Sequence, residues 1–443
     1  MINHLLLIYS HTLTARIHYV MNVVFKHVLM TPFQLTNDLD EFNKSELPKL
    51  AYTKVNRGFT FFIQSNDLLF ETEIRKILPE ADQKFIDFPL FFKSDINDYL
   101  GYDIFAMVFY FASRYEEYLE TQQDEHGRFK AENSLAFCYG CLRTPFLNNA
   151  IQQFGDKLLQ TYPALKFGKR DFNFLSTIDI DNAFAFAHKG FVRNMGGFAK
   201  EVLSLNFNQV KQRIVSNLND GNDPYNTFEF INSLSKETQT ALHYFVLIGD
   251  YSSYDKNPHY QNNRFRKLLK SLSSEHPIGL HPSYNSFDHS EKIEIEKKRL
   301  EDIIEKKVTS ARCHFLRIKF PDTYRQFIKS GITDDYTMIY ASQPGFRNGL
   351  CTPVPWFDLE KNESTALMIH PSSFMEGTLR DYNKYSPVKA NEVIDELLNK
   401  VKNHGGEFIS IFHNDSFIRE QKEWIEVYKE LLKSSLRRSH IHN

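Results

Sequence analysis

The stretch FNFLSTIDIDNAF, Phe172 to Phe184, sets a long apolar run against two carboxylates two residues apart. A near-continuous apolar run bounded in this way reads as a strand buried on both faces, the kind found in a parallel sheet. Residues i and i+2 of a strand share a face, so Asp179 and Asp181 lie side by side there. They repel unless a cation or a shared proton sits between them.

Working outward, further strands are expected at ALHYFVLIG (Ala241 to Gly249), HPIGL (His276 to Leu280), RCHFLRI (Arg312 to Ile318), TALMIH (Thr365 to His370) and GEFISIF (Gly406 to Phe412). Polar, helix-like segments separate them: Val202 to Leu218, Asp223 to Leu234 and Phe265 to Ser273. After His289 the pattern puts Leu300, Ile303, Ile304 and Val308 on one face of a helix. Asn391 to Gly406 ends as a helix should, with a basic last turn and glycine. Alternation of this kind implies a parallel sheet, open or closed into a barrel, with its ligand site at the carboxyl ends of the strands.

Upstream, LLLIY (Leu5 to Tyr9) and GFTFFIQ (Gly58 to Gln64) read as strands. The pattern from Asp98 to Glu120 predicts a helix with Ile104, Val108, Phe111 and Tyr115 on one stripe, and a second helix runs up to Pro163. The apolar strand that follows KFGKR puts a boundary near residue 168. The expected organisation is therefore a smaller α+β domain over 1–168 and a strand-helix domain over 169–443.

Composition narrows the possible functions. Hydrophobic residues make up 42% of the chain and charged residues 24%, which suits neither a disordered chain nor a membrane bundle. A net charge of −2 supplies no basic field, so nucleic acid is not an expected partner. Cys138 and Cys141 form one C-x-x-C with no second pair, which favours ordinary thiols over a zinc site. No apolar run approaches the roughly 20 residues of a membrane span, and the first residues lack a signal-peptide pattern. A cytoplasmic, reducing location is the resulting expectation.

Polar residues gather where the strands end: Asp179 and Asp181 on the first, His281 and Asn285 after the third, Arg312, His314 and Arg317 on the fourth, His413 on the last. Either aspartate alone would serve as a helix cap, and His281 alone as a core histidine bonded to a backbone carbonyl. Their gathering at one end of a parallel sheet points instead to chemistry. Carboxylate and imidazole together suit zinc or another divalent first-row ion. A second carboxylate would then take a proton from water and a histidine would protonate a leaving amine, the parts of an amide hydrolase.

In order, the D-x-D pair, GLHPSYNS (Gly279 to Ser286), the segment Arg312 to Met338, PGFRNG (Pro344 to Gly349) and ISIFHND (Ile409 to Asp415) resemble the polysaccharide deacetylase family. These are carbohydrate esterases with a distorted (β/α) barrel. More narrowly, the chain resembles a bacterial branch whose barrel follows an N-terminal domain with an SRYEEY…D.HGRF signature, here Arg114 to Tyr118 and Asp124 to Phe129. The resemblance implies a metal-dependent hydrolase removing N-acetyl or O-acetyl groups from a carbohydrate, with zinc as the first choice of metal and a water activated there as nucleophile.

In that scheme Asp179 is the base, Asp181 and His281 are ligands, Arg312 orients the base and His413 is the acid. Asn285 stands where the family has its second histidine ligand, so the third ligand lies among Asn285, His370 and His314. Arg317, Arg347, Tyr284 and Trp356 are the candidate substrate-binding residues. The alternative prompted by Asn285 is an inactive, deacetylase-like glycan-binding protein of surface-polysaccharide synthesis. A magnesium site for a sugar-nucleotide transferase or phosphatase ranks last, because no glycine-rich loop follows the first strand.

Overall fold

A computed structural model describes residues 5–85, 88–94, 100–119 and 122–436. The first part is built on β1 (Leu6–Tyr9), β2 (Phe33–Thr36), β3 (Lys49–Thr53) and β4 (Phe62–Gln64), which form a sheet in the order β2-β1-β3-β4. All its pairings are parallel, an α/β arrangement rather than the expected α+β one. Helical turns over 15–28 and 39–44 make the first two crossovers. An antiparallel ribbon, β5 (Ala81–Phe85) with β6 (Phe88–Phe91), stands apart.

The helix predicted over 98–120 is a nine-residue α-helix, Ile104–Ala112, buried on every side. A helix that is apolar all round belongs inside a core, not along its surface. Asp103 caps it, and the chain turns away at Arg114, where φ is 57°. Positions 98, 99 and 120 of that prediction lie outside the described residues.

The second sheet uses β7 (Asn173–Ile180), β8 (Ala241–Leu247), β9 (Ile278–His281), β10 (Ser310–Ala311), β11 (Asp334–Asp335), β12 (Val354–Asp358), β13 (Glu363–Ile369), β14 (Phe374–Met375) and β15 (Glu407–His413). Among the described residues its order is β12-β13-β11-β10-β9-β8-β7-β15-β14, parallel throughout except at β12. The edge strands β12 and β14 do not pair with each other, so backbone hydrogen bonds do not close the sheet into a ring.

It is nevertheless strongly curled. Arg312, one residue past β10, bonds Thr177 and Asp179 on β7, three strand spacings away. Those spacings would be about 14 Å across a flat sheet, further than an arginine reaches. Helices Phe228–Thr238, Lys292–Ile304 and Pro387–His404 bury apolar stripes on the outer face. The last ends at Gly405, whose φ of +63° and the Arg170 carbonyl, 1.7 Å from where a Cβ would lie, both demand glycine.

Two expectations fail locally. RCHFLRI is not a strand: the strand is Ser310–Ala311, just before it, and from Arg312 the chain leaves the strand for a turn with Phe315 and Leu316 both left-handed. Val308 is buried but lies past the end of its helix, which stops at the left-handed Glu305. The apolar core of the first part is also not its own. Tyr340, Leu350, Val354, Phe357 and Leu359 from the later region pack into it. No helix among the described residues is long and apolar enough to cross a membrane.

Candidate metal centre

β7, β9 and the turn after β10 bring Asp181, His281 and His314 together, their ligating atoms all within 4.8 Å of one another. Asp181 Oδ1 lies 3.2 Å from His281 Nε2, and Oδ2 lies 3.3 Å from His314 Nε2. Donors around a tetrahedral ion with bonds of about 2.0–2.1 Å sit about 3.3 Å apart, and each histidine nitrogen stands at about that distance from one of the two carboxylate oxygens. Asp181 Oδ1 is shielded from solvent and accepts no well-aligned hydrogen bond, an unmet acceptor that a cation satisfies.

Both imidazoles are held from behind. His281 Nδ1 donates to the Arg312 carbonyl at 2.6 Å, and His314 Nδ1 donates to Asp255 Oδ1 at 2.9 Å. Spending Nδ1–H in this way leaves each Nε2 lone pair for the shared point. Asp255 is fully buried and is itself fixed by the Tyr284 amide and the Ser252 hydroxyl. Burial disfavours a charged His314, but Asp181 and Asp255 outweigh it and lift its pKa to about 9. A divalent cation therefore competes with a proton at Nε2. Burial likewise opposes ionisation of Asp181, yet the surrounding histidines hold it well below the usual carboxylate range.

Two further pairs flank the triad. Asp179 accepts 2.7 Å from Arg312 Nη1, and its Oδ2 stands 4.0 Å from His281 Nε2. Arg312 is completely buried, lies over the Phe245 ring and also bonds Thr177 and the Tyr336 carbonyl. On the opposite side His413 donates Nδ1 to the buried Glu376 at 2.7 Å, with Nε2 3.8 Å from Asp181 Oδ2. Burial would lower the pKa of His413, but Glu376 and Asp181 raise it well above the ordinary value.

Asp179, Asp181, His281, His314 and His413 open onto one cavity of about 250 Å³, whose wall also includes Arg128, Phe315, Arg380, Tyr382 and Asp415. The structure thus gathers Asp179, Asp181, His281, Arg312, His314 and His413. Other residues singled out from the sequence lie elsewhere. Asn285 is exposed on the 3₁₀ turn Tyr284–Phe287 and belongs neither to the triad nor to the cavity wall; turning the chain there spends its carbonyl on the amides of Asp288 and His289.

His370 is clamped between Asp334 and Glu407, at 3.1 and 2.8 Å, because β13 delivers it to the first residue of β15 rather than to the last. Arg347 is buried in an ion pair with Glu117. Arg317 is sandwiched between the Tyr284 and Phe287 rings and bonds backbone carbonyls, while Tyr284 stacks on Tyr254 at 4.1 Å. Trp356 packs edge-on to Tyr324 inside the core. None of these last four lines the cavity.

Sequence reasoning did not find Asp255 or Glu376, the two carboxylates behind the histidines, nor Arg128 and Arg380 in the wall. Asp415, the last residue of the HND motif, also lies in the wall. Cys138 is exposed and Cys141 buried, both free thiols, and burial pushes Cys141 up to about 12.

Residues 6–163 match a family described only as "Family of unknown function (DUF7033)". None of the curated proteins matches the chain. Among solved structures it is similar to one described as "Crystal structure of putative polysaccharide deacetylase from Mycobacterium smegmatis". That likeness has 15% identity and a TM-score of 0.39, and covers 60% of this chain and 84% of that one.

Proposed function

We propose that the chain is a metal-dependent hydrolase that removes acetyl groups from a carbohydrate. The observation that carries this reading is the convergence of two histidine Nε2 atoms, each with Nδ1–H already spent, on a carboxylate with an unmet oxygen. Asp181, His281 and His314 would hold the cation, with zinc first by donor type. A divalent cation there supplies Lewis acidity, making water more acidic and polarising an acyl carbonyl.

The chain's own residues supply the proton transfers. Asp179, oriented by Arg312, takes a proton from the attacking water. His413, kept protonated by Glu376, gives one to the departing amine or alcohol. The carbohydrate substrate is supported by the ordered motifs that resemble polysaccharide deacetylases. The curled sheet supports the distorted barrel of that family, and the two separate sheets support the division into 1–168 and 169–443. The glycan-binding alternative drew on Asn285 in place of a ligand; with Asn285 exposed and His314 at the triad, that ground is gone.

The test is metal content and acetate release from N- and O-acetylated saccharides. The parent should bind one zinc per chain and release acetate, while Asp179→Asn keeps the metal and loses turnover by about 10²–10⁴-fold. Zinc binding unaffected by His281→Ala and His314→Ala would overturn the assignment.

A further inference from the structure

The D.HGRF signature of the first part has no role in the chemistry above, yet it lies against the metal ligand. Its turn is tight: Asp124 accepts from the amides of His126 and Arg128 and from Arg128 Nε. Gly127 adopts a φ of +73°, where a Cβ would press on the Phe287 ring at 3.3 Å. From this turn Arg128 Nη1 donates 2.9 Å to the Phe315 carbonyl, and Nη2 reaches the Tyr382 hydroxyl at 3.3 Å. In return Arg317 Nε donates 2.6 Å to the His126 carbonyl. Phe315, whose carbonyl Arg128 holds, and Leu316 are consecutive left-handed residues that directly follow His314, whose Nε2 lies 3.3 Å from Asp181.

Non-glycine residues hold such a conformation only where surrounding contacts impose it. The first part grips this turn at the Phe315 carbonyl, at the Arg317 guanidinium and at the Phe315 ring, which meets the His126 ring edge-on at 4.8 Å. We propose that the Asp124–Arg128 turn is a positioning element for the metal ligand: Arg128 fixes the His314 turn, so metal affinity of the later sheet is set from the first part of the chain. This rests on the metal reading above and assigns a role to a region matched only to a family of unknown function.

Zinc affinity by competition with a chromophoric chelator, together with amide hydrogen exchange over 313–317, tests it on the full chain. Arg128→Ala should bind zinc about 10–100-fold more weakly than the parent, and the turn should exchange faster. Arg128→Lys, able to donate to only one of the partners, should fall between them, and it decides the matter if the alanine variant does not fold. Parent-like affinity and unchanged exchange in the variants overturn the assignment. A parent with no zinc affinity would sink the metal reading instead, and exchange over 313–317 would still decide whether Arg128 holds the turn.

Discussion

His314 and Asp255 form a buried pair 2.9 Å apart in which the ring gives its Nδ1 hydrogen to the carboxylate, so the orientation of a proposed metal ligand depends on a residue 59 positions earlier. Asp255→Asn keeps the shape but removes the charge and allows the amide to present a donor instead. Zinc affinity should drop about 10–100-fold, with the unfolding midpoint little changed, as read by calorimetric titration.

Asn285 gives the opposite expectation. It is exposed, and its side chain plays no part in the triad. Asn285→Ala should alter zinc affinity by less than about twofold and stability by no more than about 0.5 kcal/mol. Loss of metal in that variant would show that the turn after β9 rearranges to bring position 285 inward.

Glu117 ties two buried arginines together. It accepts from Arg114 Nε at 2.7 Å and from Arg347 Nε at 2.8 Å, and Arg114 also bonds Glu116 and the Tyr340 hydroxyl. Removing one member of a buried ionic network strands the others in low dielectric, so Glu117→Ala should cost about 3–5 kcal/mol in urea unfolding. A cost below about 1 kcal/mol would mean that water enters to replace it.

His370 makes a prediction about pH away from the cavity. Burial opposes its charge, but the bonds to Asp334 and Glu407 win and raise it to about 9. A raised folded pKa contributes stability in full below the unfolded value of about 6.5, and that contribution is lost as pH rises toward 9. Unfolding free energy measured at pH 6 and pH 9.5 should therefore fall more in the parent than in His370→Gln, by no more than about 3 kcal/mol. Equal slopes would place the imidazole uncharged between the carboxylates.

The long strands β7, β8 and β15 were legible because each is an apolar run buried on both faces, and their parallel pairing followed from the polar segments between them. The two-residue strands β10, β11 and β14 were not, since two residues carry no period. The same limit left the third ligand open among Asn285, His370 and His314. His314 was read as part of a strand, where direction follows from alternation, but it lies in a turn that continues into two left-handed residues. Asp179, Asp181, His281 and His413 were legible because charge at the end of an apolar strand is costly without a purpose. Asp255 lies in an irregular segment and Glu376 at the start of a short helical turn after β14, with no pattern that distinguishes them from surface acids.

The five later side chains packed into the core of the first part limit how the chain can be recombined. A chimera that grafted residues 169–443 onto an unrelated leader would leave the faces of Tyr340, Leu350, Val354, Phe357 and Leu359 bare, a contiguous oily surface on an otherwise soluble-looking fragment. Such a fragment would self-associate, and the first 168 residues, deprived of the same five side chains, would lose part of their interior. Any transplant of the proposed metal site must therefore carry both parts.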